Sequence, residues 1–310
     1  MMKCEYCNRP AVYFKRISGV AYCKSCFLKY LKEKVRWTIN NKKLFERSDN
    51  ILLAVSGGKD SVAMMKIVSE IEKEYSNVNL TAITIDEGIK GYREEGIKIA
   101  KKYSKMLGVT HIVFSFKDFY GYTLTEIMEK VKKAGSPFHA CTYCGVLRRK
   151  ILNVKGRDIG ATKIATAHNL DDEVQTILMN ILRGDIERLI RATKIEHSKE
   201  KGFIPRVKPM QYIPEKEIAL YVYYNGIDIY SQECPFSSSS LRNELRTFLN
   251  NYEEEHGDVK FSIISSFEKI LSLLKDDYNM IKINACRYCG EPTTRDICRA
   301  CELLEALKVF

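Results

Sequence analysis

The chain has 310 residues, 45% of them apolar, enough to bury a full core and to build more than one domain. Fifty lysines and arginines against 39 acidic residues give a formal net charge of +11, which suits a polyanionic partner but also an ordinary basic protein. No apolar run approaches the roughly 18 residues of a membrane span, and Met1-Met2-Lys3-Cys4 does not open a secretory signal, so the expectation is a cytoplasmic protein with reduced thiols and no membrane contact.

In chain order, Cys4, Cys7, Cys23 and Cys26 come first, spaced CxxC-x15-CxxC around a short β-like stretch (Ala11 to Arg16) and a turn at Gly19. This is the layout of a zinc ribbon. A basic helix from Phe27 to about Phe45 follows, with Lys29, Lys32, Lys34, Arg36 and Trp37. Ile51 to Val55 is a continuous apolar run, as expected of a buried parallel strand. It ends in Ser56-Gly57-Gly58-Lys59-Asp60-Ser61, after which Val62, Met65 and Val68 recur at helical spacing. Leu80 to Ile85, Ile112 to Phe116 and Lys163 to Ala167 are predicted as further strands. Ile97, Ala100 and Leu107 mark one intervening helix, and Val174, Ile177, Leu178, Ile181 and Leu182 form one face of another. Strands alternating with helices predict a doubly wound α/β domain with a mainly parallel sheet and ligands at the carboxyl ends of its strands.

Pro205, Pro209 and Pro214 divide the next stretch into short pieces. Pro214-Glu215-Lys216-Glu217 predicts a helix start with proline in its first turn. Ser237 to Ser240 are expected to cap a helix carrying Leu241, Leu245, Phe248 and Leu249. Cys286, Cys289, Cys298 and Cys301, spaced CxxC-x8-CxxC, close the chain as a second zinc module. The expected division is an N-terminal zinc module (1–30), a catalytic domain with its preceding basic helix and C-terminal helical part (31–280), and a C-terminal zinc module (281–310). Eight cysteines in such pairs imply two zinc ions. The cations near them, Lys3, Arg9, Lys15, Arg16 and Lys24 at one end and Arg287, Arg295 and Arg299 at the other, suit nucleic-acid phosphates.

The glycines of the first strand–helix turn let backbone amides approach phosphate oxygens, and the helix N-terminus adds partial positive charge. Lys59 can meet a phosphate, Ser56 and Ser61 can donate hydrogen bonds, and Asp60 can orient Mg²⁺ or the loop. The motif is not a Walker loop. With the strand before it, Ser56-Gly57-Gly58-Lys59-Asp60-Ser61 resembles the SGGxDS fingerprint of the PP-loop ATP pyrophosphatases. The resemblance implies cleavage of ATP to AMP and pyrophosphate with Mg²⁺, activating a carbonyl oxygen by adenylation. It places ATP on Ala54, Ser56, Gly57, Gly58, Lys59, Asp60 and Ser61, with Ile85 near the adenine. Ala167-His168-Asn169-Leu170-Asp171-Asp172-Glu173 resembles a second element of that family. It puts His168, Asp171 and Asp172 at the nucleotide, one aspartate serving Mg²⁺ or nucleotide positioning.

Cys141 and Cys144 form a CxxC just before an expected helix start at Gly145, with Arg148, Arg149 and Lys150 close behind. Cys234 stands before Pro235. On their own, the pair could be a redox dithiol or half a zinc site, and Cys234 a small buried hydrophobe. Combined with the phosphate loop and two zinc modules, the three cysteines make the chain similar to the tRNA 2-thiolation enzymes. The match is to the 2-thiouridine branch of archaea, thermophilic bacteria and the eukaryotic cytosol. The resemblance implies a tRNA substrate and a homodimer. It implies an iron–sulfur cluster of the 4Fe–4S type on Cys141, Cys144 and Cys234, with one iron open to sulfide or to the thiocarboxylate of a ubiquitin-like carrier. Catalytic roles then fall to those cysteines, to Lys59 and Asp171, and to a cation after the CxxC, with Arg148 the first choice. Competing readings are a cysteine persulfide without a cluster, a 2-thiocytidine synthetase, a lysidine-type ligase, and a non-catalytic zinc-dependent RNA-binding scaffold. The last leaves the intact loop unexplained.

Overall fold

A computed structural model of the chain describes residues 2–74, 78–185, 188–190, 202–230, 232–236, 241–273 and 283–307. At the N-terminus, β1 (Tyr13–Lys15) and β2 (Val20–Tyr22) pair antiparallel, joined through Gly19 at φ +66. Helix α1 (Lys24–Asn41) starts directly on Cys23 and buries Phe27, Leu31, Val35 and Ile39, an i, i+4 stripe.

The central sheet holds β3 (Asn50–Ala54), β4 (Asn79–Asp86), β5 (Thr110–Ser115), β6 (Lys163–Ala165) and β7 (Arg206–Val207). All pairings are parallel, in the order β5-β4-β3-β6-β7. The chain steps outward one way from β3 to β5, then crosses back to β6, so the topological switch lies between β3 and β6. Around the sheet run α2 (Lys59–Glu72), α3 (Arg93–Leu107), α4 (Phe116–Tyr120), α5 (Leu124–Lys133), α6 (Ala140–Asp158) and α7 (Leu170–Leu182), followed by helices Glu215–Asn225, Leu241–His256 and Val259–Leu273.

Strand alternation sorts the core onto two faces. Ile51, Leu53 and Val55 pack with α1, α2 and the Glu215–Asn225 helix, and the N-terminal hairpin joins this face through Tyr22. Leu52, Ile83, Ile85 and Ile164 point the other way, onto Tyr143, Leu147 and Ile151 of α6. The C-terminal module, with β8 (Asn284–Ala285), β9 (Pro292–Thr293) and helix Arg299–Glu305, docks on this second face through Cys301, Leu303 and Leu304. A third cluster joins Leu170, Val174 and Ile177 of α7 to Leu249 and Ile264 of the last two long helices. Among the described residues, no helix is long and apolar enough to cross a membrane.

The doubly wound parallel sheet matches the sequence expectation, and several local boundaries move. The third strand stops at Ser115, whose side chain accepts from the Asp118 amide and starts α4 at Phe116. The fourth stops at Ala165, freeing Thr166 to Asn169 as a loop. The fifth, β7, has only two residues between Pro205 and Pro209, too few to show alternation. Pro214 is the N-cap of its helix rather than a first-turn residue. Cys141 and Cys144 lie inside α6, which begins at Ala140 after an extended His139, not ahead of a helix at Gly145. The helix at Leu241 is present, but its expected caps, Ser237 to Ser240, lie outside the described residues.

Candidate nucleotide and thiol site

The loop after β3 folds back on itself through hydroxyls. Ser61 Oγ donates to the Gly58 carbonyl at 2.8 Å and accepts from the Ser56 amide at 3.1 Å. Ser56 Oγ lies 3.2 Å from Ser61 Oγ. Gly58 is the N-cap of α2 and no side chain caps it, so the first amides of that helix are left to face the crevice. Gly57 sits at φ +85, and a Cβ there would lie 2.0 Å from the Gly96 carbonyl oxygen of α3. The first turns of α3 therefore press on the loop from behind. Lys59 Nζ donates to Asp60 at 2.9 Å and to Glu215 at 2.7 Å. Burial opposes its charge, but the two carboxylates outweigh it and raise its pKa. Ala54 is half-buried at the end of β3. Ile85 is buried on β4 in the α6-side core, facing Phe114 of β5 in register.

Across the switch point, the loop after β6 reaches the phosphate loop. Asn169 Nδ2 donates to Asp60 Oδ1 at 3.3 Å, and Asn169 forms a capping box with Asp172 at the start of α7. His168 opens to the crevice, its Nδ1 2.9 Å from Thr166 Oγ1. Crowding protein atoms, then Lys208, push its pKa down to about 4. Burial raises the pKa of Asp172 and of Asp60, against Asn169 and Arg242 for the first and Lys59 for the second. Arg242 Nη1 lies 3.2 Å from Asp172. Asp171 likewise uses both oxygens: one takes the Glu215 amide at 2.7 Å and the other Lys260 Nζ at 2.5 Å. Both oxygens hold helices together.

The inner cysteines gather at the start of α6. Cys144 is half-buried with Arg148 Nη2 donating to its Sγ at 3.1 Å. Burial pushes its thiol up while Arg148 pulls it down. Cys141 is exposed, and its Sγ lies 3.8 Å from the carbonyl of Phe236, two residues beyond Cys234. Cys144 and Cys234 both pack on the α6-side core. Unlike the outer cysteines, these three do not form a group with all ligand atoms within 4.8 Å, a spacing that suits one ion rather than a multi-iron cluster. A donor set of three thiolates with no histidine or carboxylate in it fits a cluster that keeps one iron free.

A carboxylate links thiol and loop. Glu87, just past β4, is fully buried and takes Arg93 on both oxygens, Nε at 2.6 Å and Nη2 at 3.0 Å. It also pairs with Arg148. Arg93 turns its Nη1 to the Ser56 carbonyl at 3.1 Å. Burial works against the Arg148 charge, but Glu87 and then Cys144 outweigh it. Arg149 is exposed beside it, and Lys150 instead reaches Cys301 Sγ at 3.7 Å. Motif reading did not find Glu87, Arg93 or Lys260. The signal available for the first two was a Glu-Gly turn and an arginine just after the carboxyl end of a central strand, where such folds bind ligands.

Each outer group, Cys4 with Cys7, Cys23 and Cys26, and Cys286 with Cys289, Cys298 and Cys301, brings four Sγ atoms within 4.8 Å of one another and could hold a metal ion. A cavity of about 620 Å³ lies elsewhere, between the N-terminal hairpin and the later helices, lined by Lys15, Arg16, Glu217, Glu253 and Phe261 among others. None of the loop or inner-cysteine residues lines it.

A family model described as a PP-loop domain matches residues 28–253. The chain is 35% identical over 302 residues to cytoplasmic tRNA 2-thiolation protein 1 of Caenorhabditis elegans, covering 97% of this chain and 79% of that one. It is 33% identical over 322 residues to the tRNA 2-thiolation protein NcsA of Haloferax volcanii, covering 99% of each. Among solved structures it resembles the U34-tRNA thiolase NcsA from Methanococcus maripaludis, solved with its 4Fe–4S cluster. That match has a TM-score of 0.85 and 34% identity, covering 98% of this chain and 96% of the other.

Proposed function

This chain belongs to the PP-loop family of tRNA 2-thiolation proteins, and from that premise we propose that it is an ATP-dependent tRNA 2-thiouridine synthetase. The observation that carries this reading is that the phosphate loop after β3 and the inner CxxC at the start of α6 are joined by a continuous run of contacts through Glu87, at the carboxyl end of the neighbouring β4. ATP with Mg²⁺ occupies the crevice over Ser56 to Ser61. Lys59 exchanges Asp60 and Glu215 for phosphate oxygens, and the uncapped amides of α2 face the same charge. Asp60, Asp171 and Asp172 are the Mg²⁺ or nucleotide partners, each giving up protein donors that now hold both of its oxygens.

The 2-oxygen of a tRNA uridine attacks the α-phosphate, forming an O–P bond and releasing pyrophosphate. A sulfur nucleophile then adds at C2, and AMP leaves with that oxygen. The base must leave its stack to reach the crevice. Cys141, Cys144 and Cys234 would hold an iron–sulfur cluster, which with three protein thiolates keeps one iron free to bind sulfide. Arg148 supplies positive charge beside Cys144. We further propose zinc in both outer cysteine groups, sulfide or a carrier thiocarboxylate as sulfur source, a homodimer, and the domain division at residues 30 and 280.

Anaerobic purification with iron, sulfide and zinc assays, coupled to mapping of thiolated nucleosides in tRNA, tests the reading. The expected result is zinc near two equivalents, a cluster, and 2-thiouridine formed only with ATP. Full thiolation by iron-free protein would sink the cluster and favour a persulfide. Cys234→Ala should abolish thiolation while sparing nucleotide binding. Surviving activity would remove Cys234 from its role.

A further inference from the structure

We propose that Glu87 and Arg93 are positioning residues that couple occupancy of the phosphate loop to the environment of Cys144. Removing a charge from water is costly, so a fully buried carboxylate persists only with close partners. Glu87 has two, and each also reaches one end of the site. Arg93 holds the Ser56 carbonyl, the first of the loop, and Arg148 holds the Cys144 sulfur. At Arg93 the planar fork grips the carboxylate through Nε and Nη2 and still presents Nη1 to the loop, whereas at Arg148 the single nitrogen Nη2 meets both Glu87 and the Cys144 sulfur. At position 93 lysine offers a single point of charge and cannot span both.

The backbone at the loop and at Glu87 leaves little room for slack. The loop and α3 touch so closely that a Cβ on Gly57 would lie 2.0 Å from the Gly96 oxygen and one on Gly96 2.6 Å from the Ser56 oxygen. Gly88, next to Glu87, sits at φ +69, where a Cβ would lie 2.4 Å from Thr123. The Glu87 carbonyl itself receives the Leu124 amide at 2.7 Å. A phosphate that shifts the Ser56 carbonyl therefore alters Arg93's hold on Glu87. Glu87's hold on Arg148 changes with it, and so does the contact at Cys144. By linkage, a change at Cys144 alters nucleotide affinity by the same factor.

The inference rests on the proposed function only in taking a nucleotide as the occupant of the loop. The test uses the full-length, zinc-loaded, iron-free chain. Alkylation of Cys144 by iodoacetamide is followed by mass spectrometry with and without a non-hydrolysable ATP analogue and Mg²⁺, with Cys141 as internal reference. In the unmodified chain, saturating nucleotide should change the Cys144 rate relative to Cys141 by about fivefold or more. Arg93→Lys keeps the charge but not the fork, and at saturating nucleotide should reduce the change to under about twofold. Arg148→Met removes the single nitrogen that joins Glu87 to Cys144 and should do the same without touching the loop. Thermal melts and nucleotide dissociation constants establish that each variant folds and is occupied. No nucleotide effect in the unmodified chain, or an undiminished effect in either folded variant, overturns the proposal. Thiolation is assayed separately: a Cys144 response without 2-thiouridine would defeat the functional reading and leave the coupling standing.

Discussion

Gly57 carries more structural demand than any other residue of the loop. Its φ of +85 excludes most side chains, and the carbonyl of Gly96 fills the place a Cβ would take. Gly57→Ala is expected to cost about 2–4 kcal/mol, because backbone strain and overpacking act together. Thermal melting should show that loss, and nucleotide titration should show weaker binding. A second residue-level prediction concerns Lys34, whose Nζ lies buried 3.7 Å from Glu217 without a hydrogen bond. Burial pushes its pKa down from 10.5 to about 8, against the pull of Glu217. Between those values the unfolded chain binds more protons than the folded one, so this group's contribution to stability rises with pH. Melting temperatures of the native chain, measured relative to Lys34→Met, should therefore improve from pH 8 to 10. A pH-independent difference would contradict the assignment.

At the scale of elements, α6 joins the inner cysteines to the C-terminal four-cysteine group. Its first turns carry Cys141 and Cys144, and its middle and end meet the C-terminal module. Lys150 reaches Cys301, while Asn153 donates to Glu291 at 3.3 Å and Arg157 pairs with the same carboxylate. The C-terminal cysteines thus brace the helix that presents the inner ones. Removing one partner of a half-buried charged group typically costs about 1–3 kcal/mol. Glu291→Ala should accordingly raise amide hydrogen exchange in residues 284–305 and in the last turns of α6, while exchange in α2 stays unchanged. Equal exchange in the variant and the native chain would show that Glu291 does not hold the module.

For the whole molecule, the two four-cysteine modules sit against opposite faces of the central sheet, one on the α1 and α2 side and one on α6. Their cations are not equally available. Arg295 and Arg299 both pair with Glu302, and Lys15 donates to Tyr30. With a net charge of +11, phosphate contacts should still dominate RNA binding. If about six phosphates are neutralised, affinity for tRNA should fall roughly a thousandfold between about 50 and 200 mM salt. Filter binding across that range measures the slope, and a flat response would rule out a phosphate-led interface.

Short-range patterns determined much of this protein. The SGGKDS turn between an apolar strand and a helix, the alternation of strands and helices, and the paired cysteines at both ends were legible because each depends on residues close in the chain. What only the tertiary structure decided lies between segments far apart in sequence. The switch point brought Asn169 to Asp60 across 109 positions, and packing set Lys260 against Asp171 from 89 positions away. The Glu87 pairs follow the same logic. A buried charge must find its partners wherever the fold supplies them, and no local pattern encodes which arginine will arrive.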